Sequence, residues 1–295
     1  MYVSYYKMRL KITQVLPFLL FYTTVFADKS YHSTDTLLTR IKLKCSLIPL
    51  LSCHMKDDIL VVDWNKHVSD KADVLLVFNE HARERITGEL ALNVIHKLRA
   101  WNPNKRVTII PVLNIFGRKR VESGHPCQRK NSRGIDINRN YQMRGVNEHH
   151  YAKESEEYEG PHPLSEKESK LVSSLLLTHP NIYVNVHSGE KSIYMPYDSR
   201  VGVRPKNYDV MLKNIKKWGK KCPECAIGTA ASTSFYRAYG TSVDWAVDHD
   251  VPQAFTFEIY GDATYDCRKM FNPNKRDLGA VLKQWSGIIK DVIFS

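Results

Sequence analysis

The run Asn79-Glu80-His81-Ala82-Arg83-Glu84 sets a histidine and a glutamate three positions apart. A turn entering a helix can aim both side chains at one point. An imidazole nitrogen and a carboxylate oxygen suit zinc, which in catalytic sites takes three protein ligands and a water. A third ligand must come from elsewhere, and His187 is the candidate, at the end of the apolar run Val184-Asn185-Val186-His187. Taken singly, the pair also reads as a surface pair and His187 as a satisfied core histidine. Between them, Gln128–Tyr141 gathers Arg129, Asp136, Asn138 and Arg139 in a polar stretch. Glu258 follows Phe257 in the strand-like Phe255-Thr256-Phe257-Glu258. A carboxylate there is costly to bury unless a metal or a cation compensates it.

Residues of this kind need a rigid frame, and the hydrophobic pattern supplies one. Asp73–Phe78, Arg106–Leu113, Ile182–His187 and Ala254–Ile259 read as buried strands. Helical spacing runs from Arg85 to Ala100, with Leu90, Val94, Ile95 and Leu98 on one side. Further helices are expected from Ser165 to about Thr178, with Glu168 placed for a capping box. Others are expected over Tyr208–Lys220, Ser242–Asp248 and Asp277–Ile289. Apolar strands alternating with helices predict a single-domain α/β fold: a mixed, mostly parallel central sheet flanked by helices. In such folds ligands bind beyond the carboxyl ends of the strands, where His81, Glu84 and His187 fall. The polar stretch from Gly117 to Pro163 is a long connection of the functional kind.

The joint order of these pieces resembles the zinc metallocarboxypeptidases, the family of carboxypeptidases A and B. The pieces are HxxE, Arg133-Gly134-Ile135-Asp136-Ile137-Asn138-Arg139-Asn140, Val184–Gly189 and Phe255–Asp262. The match is closest to plant-type and protist members and runs from about Tyr31 to the terminal helix. The resemblance implies a Zn2+-dependent exopeptidase with one zinc per chain, acting on the C-termini of peptides or proteins. It implies His81, Glu84 and His187 as metal ligands, with Asp136 behind His81. Asn138 and Arg139 would hold the substrate's terminal carboxylate, a task suited to a planar guanidinium. Arg129 would polarise the scissile carbonyl, and Tyr236 would cap the terminal residue. Glu258 would be the general base, taking a proton from the metal-activated water and passing it to the leaving amine. The family commonly has Gly where this chain has Asn79; asparagine tolerates the left-handed backbone such a turn needs.

Two positions bear on the terminal side chain. Val243 matches the base of the family's specificity pocket and allows an apolar group. Asp198, eleven residues after His187, matches a position where aspartate accompanies Lys/Arg preference in the hormone-processing members. The reading leans to C-terminal Lys or Arg. The alternatives are the same chemistry on apolar or aromatic ends, a zinc deacylase of N-acyl amino acids, and an inactive peptide-binding homologue.

The 295 residues carry 43 Lys+Arg against 31 Asp+Glu, a net charge of +12, and 43% are hydrophobic. That composition excludes a disordered chain. No nucleic-acid motif accompanies the charge, so no nucleic-acid partner is expected, and the clusters Lys216–Lys221 and Arg118–Arg120 read as solvated faces. His149-His150 and Asp248-His249-Asp250 read as surface residues. Residues 1–27 read as a secretory signal peptide, with Lys7, Arg9 and Lys11 before an apolar stretch and a cleavage site after Ala27. Residues 28–295 form the catalytic domain. The mature chain is expected to be secreted or lumenal, monomeric, without a stable membrane span and without a folded inhibitory prodomain. Six cysteines fit disulfide use. Cys45/Cys53 is a plausible local loop, and Cys222-Pro-Glu-Cys225 fits half a zinc site or a redox pair.

Overall fold

A computed structural model describes residues 30–141, 150–234 and 236–295. The expected signal peptide and His149 lie outside the described residues. The strands are β1 (Leu51–Lys56), β2 (Ile59–Trp64), β3 (Val74–Phe78), β4 (Val107–Ile110), β5 (Ile182–His187), β6 (Glu190–Met195), β7 (Ala226–Thr229) and β8 (Ala254–Tyr260). The helices are α1 (Thr34–Leu47), α2 (Arg85–Trp101), α3 (Ile115–Glu122), α4 (Lys167–Leu176), α5 (Tyr208–Gly219), α6 (Ala230–Thr233), α7 (Ser242–Asp248), α8 (Cys267–Phe271) and α9 (Lys275–Ile293). The strands form one sheet in the order β1-β2-β4-β3-β5-β8-β6-β7. The centre, β4-β3-β5-β8, is parallel, while β1, β2 and β6 join their inner neighbours antiparallel. The mixed α/β architecture read from the hydrophobic pattern is the one observed.

Successive strand residues point to opposite faces, and the two faces carry different layers. Leu76, Val184, Phe255 and Phe257 pack with α1, α2, α5 and α9 in the larger apolar cluster. Trp218 of α5 sets its edge against Phe255 and Phe257, with ring centroids 4.8 and 5.8 Å away. Burying a side chain of this size stabilises by roughly 2–3 kcal/mol. Leu75, Val77, Tyr183 and Ala254 pack against α4 and α7 on the other face. Towards the strand ends that second face turns polar: Asn185 and His187 follow Tyr183 on β5, and Thr256 and Glu258 follow Ala254 on β8. The chemistry therefore grows out of one face of the sheet, at its carboxyl edge.

Two local expectations are corrected. Helix α4 begins at Lys167 with no side-chain cap, so Ser165 and Glu168 form no capping box. Asn140 takes Ser165 instead, donating from Nδ2 to its Oγ at 2.9 Å, and Ser165 donates to Glu166 Oε1 at 2.7 Å. Arg118 belongs to no solvated face; it is fully buried. Its guanidinium reaches Asn79 Oδ1 at 2.8 Å and the backbone oxygens of Arg85 and His32 at 3.0 and 3.1 Å. The carboxylates of Glu89 and Glu122, each 3.5 Å away, answer the charge.

All six cysteines are paired, as Cys45–Cys53, Cys127–Cys267 and Cys222–Cys225. The Cys222/Cys225 pair is thus a local disulfide and not part of a metal site. Among the described residues no helix is long and apolar enough to cross a membrane.

Candidate active site

Three adjacent parallel strands deliver the site. β3 ends at Phe78, and Asn79 turns the chain with φ +53°. The asparagine performs the left-handed turn that its substitution for glycine required. Its amide donates to Thr87 Oγ1 at 2.9 Å, its side chain donates to the His81 carbonyl at 2.9 Å, and Arg118 holds its Oδ1. The turn lifts His81 and Glu84 to face His187 at the end of β5.

The convergence is close. His81 Nδ1 lies 2.8 Å from Glu84 Oε1, His187 Nδ1 lies 3.0 Å from Glu84 Oε2, and the two Nδ1 atoms stand 3.1 Å apart. All three side chains are buried. Two imidazole nitrogens facing each other beside a carboxylate present lone pairs to a shared centre, the donor set that zinc takes. Their ligand atoms lie within 4.8 Å of one another. These residues fit a zinc ion. Burial opposes ionisation of Glu84, yet the charges of His81 and His187, and hydrogen bonds from them, hold its carboxyl well below the usual range.

His81 is backed by Asp136, whose Oδ1 sits 3.0 Å from Nε2. Such a partner fixes the tautomer and raises ligand basicity. Asp136 Oδ1 also caps the single 3-10 turn Ile137–Arg139, accepting from Asn138 N at 3.0 Å. Its Oδ2 binds Arg129 Nε at 2.8 Å and Nη2 at 2.6 Å. Burial raises the Asp136 carboxyl, but Arg129 and then His81 overcome it and hold the group ionised. Burial likewise lowers the Arg129 guanidinium, and Asp136 more than restores it. Arg129 Nη1 is left 3.3 Å from His81 Nδ1, beside the ligand centre.

Glu258 comes from the neighbouring rung: His187 on β5 is paired in register with Glu258 on β8. Among the described residues its Oε2 is buried with no hydrogen-bond partner. Burial, with the charges of Glu84 and Glu190, pushes its carboxyl well up, against the pull of His187 and Arg129.

A cavity of about 390 Å³ joins these groups. His81, Glu84, His187, Arg129, Asn138, Arg139, Asp198, Tyr236 and Glu258 all line it. Arg139 is 3% exposed, with Nη1 donating to the Asn138 carbonyl at 2.8 Å and its Nε unpaired. Burial lowers this guanidinium, and Asp136 leads the charges that raise it above its ordinary value. Tyr236 is half exposed at the mouth, its hydroxyl 3.4 Å from Arg139 Nη2. Gly240 (φ +69°) joins the two loops: a Cβ there would lie 2.2 Å from the Arg139 carbonyl oxygen.

Asp136 stands behind the wall and Val243 elsewhere. Val243 is buried in the apolar cluster under α7, so its match to a pocket base places it in the core and not on the cavity surface. Asp198 does reach the cavity. Its amide donates to Asp244 Oδ1 at 2.7 Å, and burial followed by the Asp244 charge pushes its carboxyl up to about 8. Of the surface clusters, Asp248 is taken by Arg200 and His249 stacks on Trp245. Sequence reasoning missed Asp244, inside the expected helix Ser242–Asp248, and Glu80, inside the run Asn79–Glu84. A carboxylate directly beside His81 in an otherwise apolar strand end was a usable signal.

The sequence model of the zinc carboxypeptidase family matches residues 35–284. The chain belongs to the zinc carboxypeptidase family. Among curated relatives, mouse mast cell carboxypeptidase A is 24% identical over 258 residues, covering 79% of this chain and 62% of the relative. Carboxypeptidase A5 of Macaca fascicularis is 26% identical over 282 residues, covering 82% and 63%. The chain thus spans less than two thirds of the length of these relatives, and as mammalian proteins they lend no support to a plant-type or protist likeness. Among solved structures, carboxypeptidase A from Helicoverpa armigera superposes with TM-score 0.78 at 20% identity, covering 89% of this chain and 73% of that one. Bovine thrombin-activatable fibrinolysis inhibitor, solved with tick carboxypeptidase inhibitor, gives 0.77 at 21%, covering 89% and 96%. These structural likenesses speak for the zinc carboxypeptidase fold.

Proposed function

We propose that this zinc carboxypeptidase hydrolyses the C-terminal peptide bond of peptides or proteins, with a preference for terminal Lys or Arg. One observation carries the reading: the His81–Glu84–His187 cluster and the unpaired Glu258 carboxylate open onto the same cavity as the buried Arg139 guanidinium. Zinc held by His81, Glu84 and His187 would activate a water and polarise the scissile carbonyl. Arg139, with Asn138 beside it, binds the free carboxylate and so fixes the register of the chain end. Asn138 is itself braced, its Oδ1 accepting from Ser242 N at 2.9 Å. Arg129, held by Asp136, supplies a fixed positive charge for the oxygen that becomes anionic. Glu258 accepts the proton of the attacking water and releases it to the leaving amine. Tyr236 covers the terminal residue from the rim. Asp198 faces the terminal side chain and gives a cationic one its counter-charge. Three disulfides support a secretory or extracellular setting.

The test pairs metal content with turnover of blocked dipeptides ending in Arg, Lys, Phe or Glu. One zinc per chain, loss of activity with a chelator and fastest release of Arg or Lys are expected. Glu258→Gln should keep the metal and lose about 10²–10⁴-fold in kcat. Retained turnover in that variant refutes the base assignment, and faster release of Phe than Arg refutes the preference.

A further inference from the structure

Glu80 is a fully buried carboxylate that none of the roles above uses. Asn185 Nδ2 donates to its Oε2 at 2.6 Å, and the Tyr141 hydroxyl donates to its Oε1 at 3.4 Å. Asn185 in turn donates to Ser242 Oγ at 2.9 Å, as does the Tyr183 hydroxyl. This surround is neutral. Among the described residues the ion pair Glu80 makes is with His187, whose Nε2 lies 3.5 Å from Oε2. A buried carboxylate in such company is costly unless something cationic answers it.

A metal-bound His187, its N–H polarised by the ion, is the group that faces it. Its Nδ1 faces Glu84 and His81. With a metal at that centre Nδ1 is a ligand and the ring proton belongs on Nε2, which is buried and among the described residues has no hydrogen-bond partner of its own. Glu80 is the carboxylate it faces. We propose that Glu80 is the positioning residue for His187: it holds the imidazole in the tautomer that turns Nδ1 to the metal, as Asp136 does for His81. The inference rests on the metal site proposed above. Each of the two imidazoles then has a carboxyl group at its back.

The readout is zinc affinity, measured by competition with a chromogenic chelator. Glu80→Gln keeps the shape and an acceptor for Asn185 and removes only the charge. It should weaken zinc binding about 10–100-fold, the usual effect of losing such a partner, with an unchanged melting temperature in the zinc-free state. Glu80→Leu should weaken it further. Glu89→Gln alters a buried carboxylate paired to His32 and Arg118; it should leave zinc affinity within twofold of wild type and so report destabilisation alone. Zinc affinity of Glu80→Gln within twofold of wild type overturns the proposal while leaving the metal site intact. A wild-type chain that holds no zinc overturns both. The zinc-loaded wild type gives an answer independent of any variant folding. Its His187 Nε2 proton should resonate downfield and exchange slowly, and a rapidly exchanging proton refutes the engagement of Nε2 by Glu80.

Discussion

The ionisation of Asp198 should govern which chain ends are accepted. Asp244 takes three donors, from Asp198 N at 2.7 Å, Ser199 N at 3.2 Å and Ser199 Oγ at 2.6 Å. Asp198 Oδ1 has no partner. The negative charge therefore settles on Asp244 and the proton on Asp198, whose carboxyl is raised to about 8 by burial and by that neighbour. A carboxyl titrating there is ionised in about 1% of molecules at pH 6, about a tenth at pH 7 and half at pH 8. A cationic side chain needs the ionised form, and supplying it costs about 1.4 kcal/mol for each pH unit below 8. The assay is kcat/KM for matched blocked dipeptides ending in Arg and in Phe, between pH 6 and 9. Their ratio cancels the titration of the shared catalytic groups. It should rise about 50-fold from pH 6 to 8 and then level off, and Asp198→Asn should make it flat and low. A ratio independent of pH in the wild type, or a slope surviving in Asp198→Asn, refutes the reasoning. Stability carries the same signature. Because the folded carboxyl titrates above its unfolded value, the native state holds the extra proton between about pH 4 and 8. Stability must then fall as pH rises through that window, and Asp198→Asn should lessen the fall in urea midpoints.

Arg139→Lys should raise KM and lower kcat/KM about 10–100-fold, because a point charge cannot replace the guanidinium fork; the preference for a free over an amidated terminus should shrink with it. The Cys127–Cys267 bridge spans 140 residues of sequence, a loop whose closure stabilises by about 5 kcal/mol in the chain-entropy account. Replacing both cysteines by alanine should lower urea stability by about 2–5 kcal/mol, and an unchanged midpoint would contradict that account.

The centre of the fold was legible because its strands are buried on both faces and read as unbroken apolar runs. β5 and α7 fall at the residues read from the sequence, and β3, α2, α5 and β8 fall within a residue or two. The antiparallel flank was not legible. β1 alternates apolar and polar residues over only six positions, and of these only Leu51 is buried, while β6 opens with Glu190 and Lys191 and shows no clean period. Helix α3 hides because Arg118 faces inward, which inverts the pattern expected of a helix surface. In the site, His81, Glu84, His187 and Glu258 announce themselves by residue type at strand ends. Val243 misleads because sequence position cannot say which side of a short helix meets the cavity. Asp244 stayed unmarked because its effect on Asp198 is a tertiary contact across 46 positions.

The pairing of His187 with Glu258 across one parallel rung has an evolutionary consequence. The spacing between the proposed metal ligand and the proposed proton acceptor is set by the ladder of backbone bonds, while Asp198, Arg139 and Tyr236 ride on connections outside it. Descendants of such a protein can exchange those connections and change diet without retuning the reaction. A slip of one residue in β8, by contrast, would turn Glu258 to the opposite face and abolish the proposed hydrolysis.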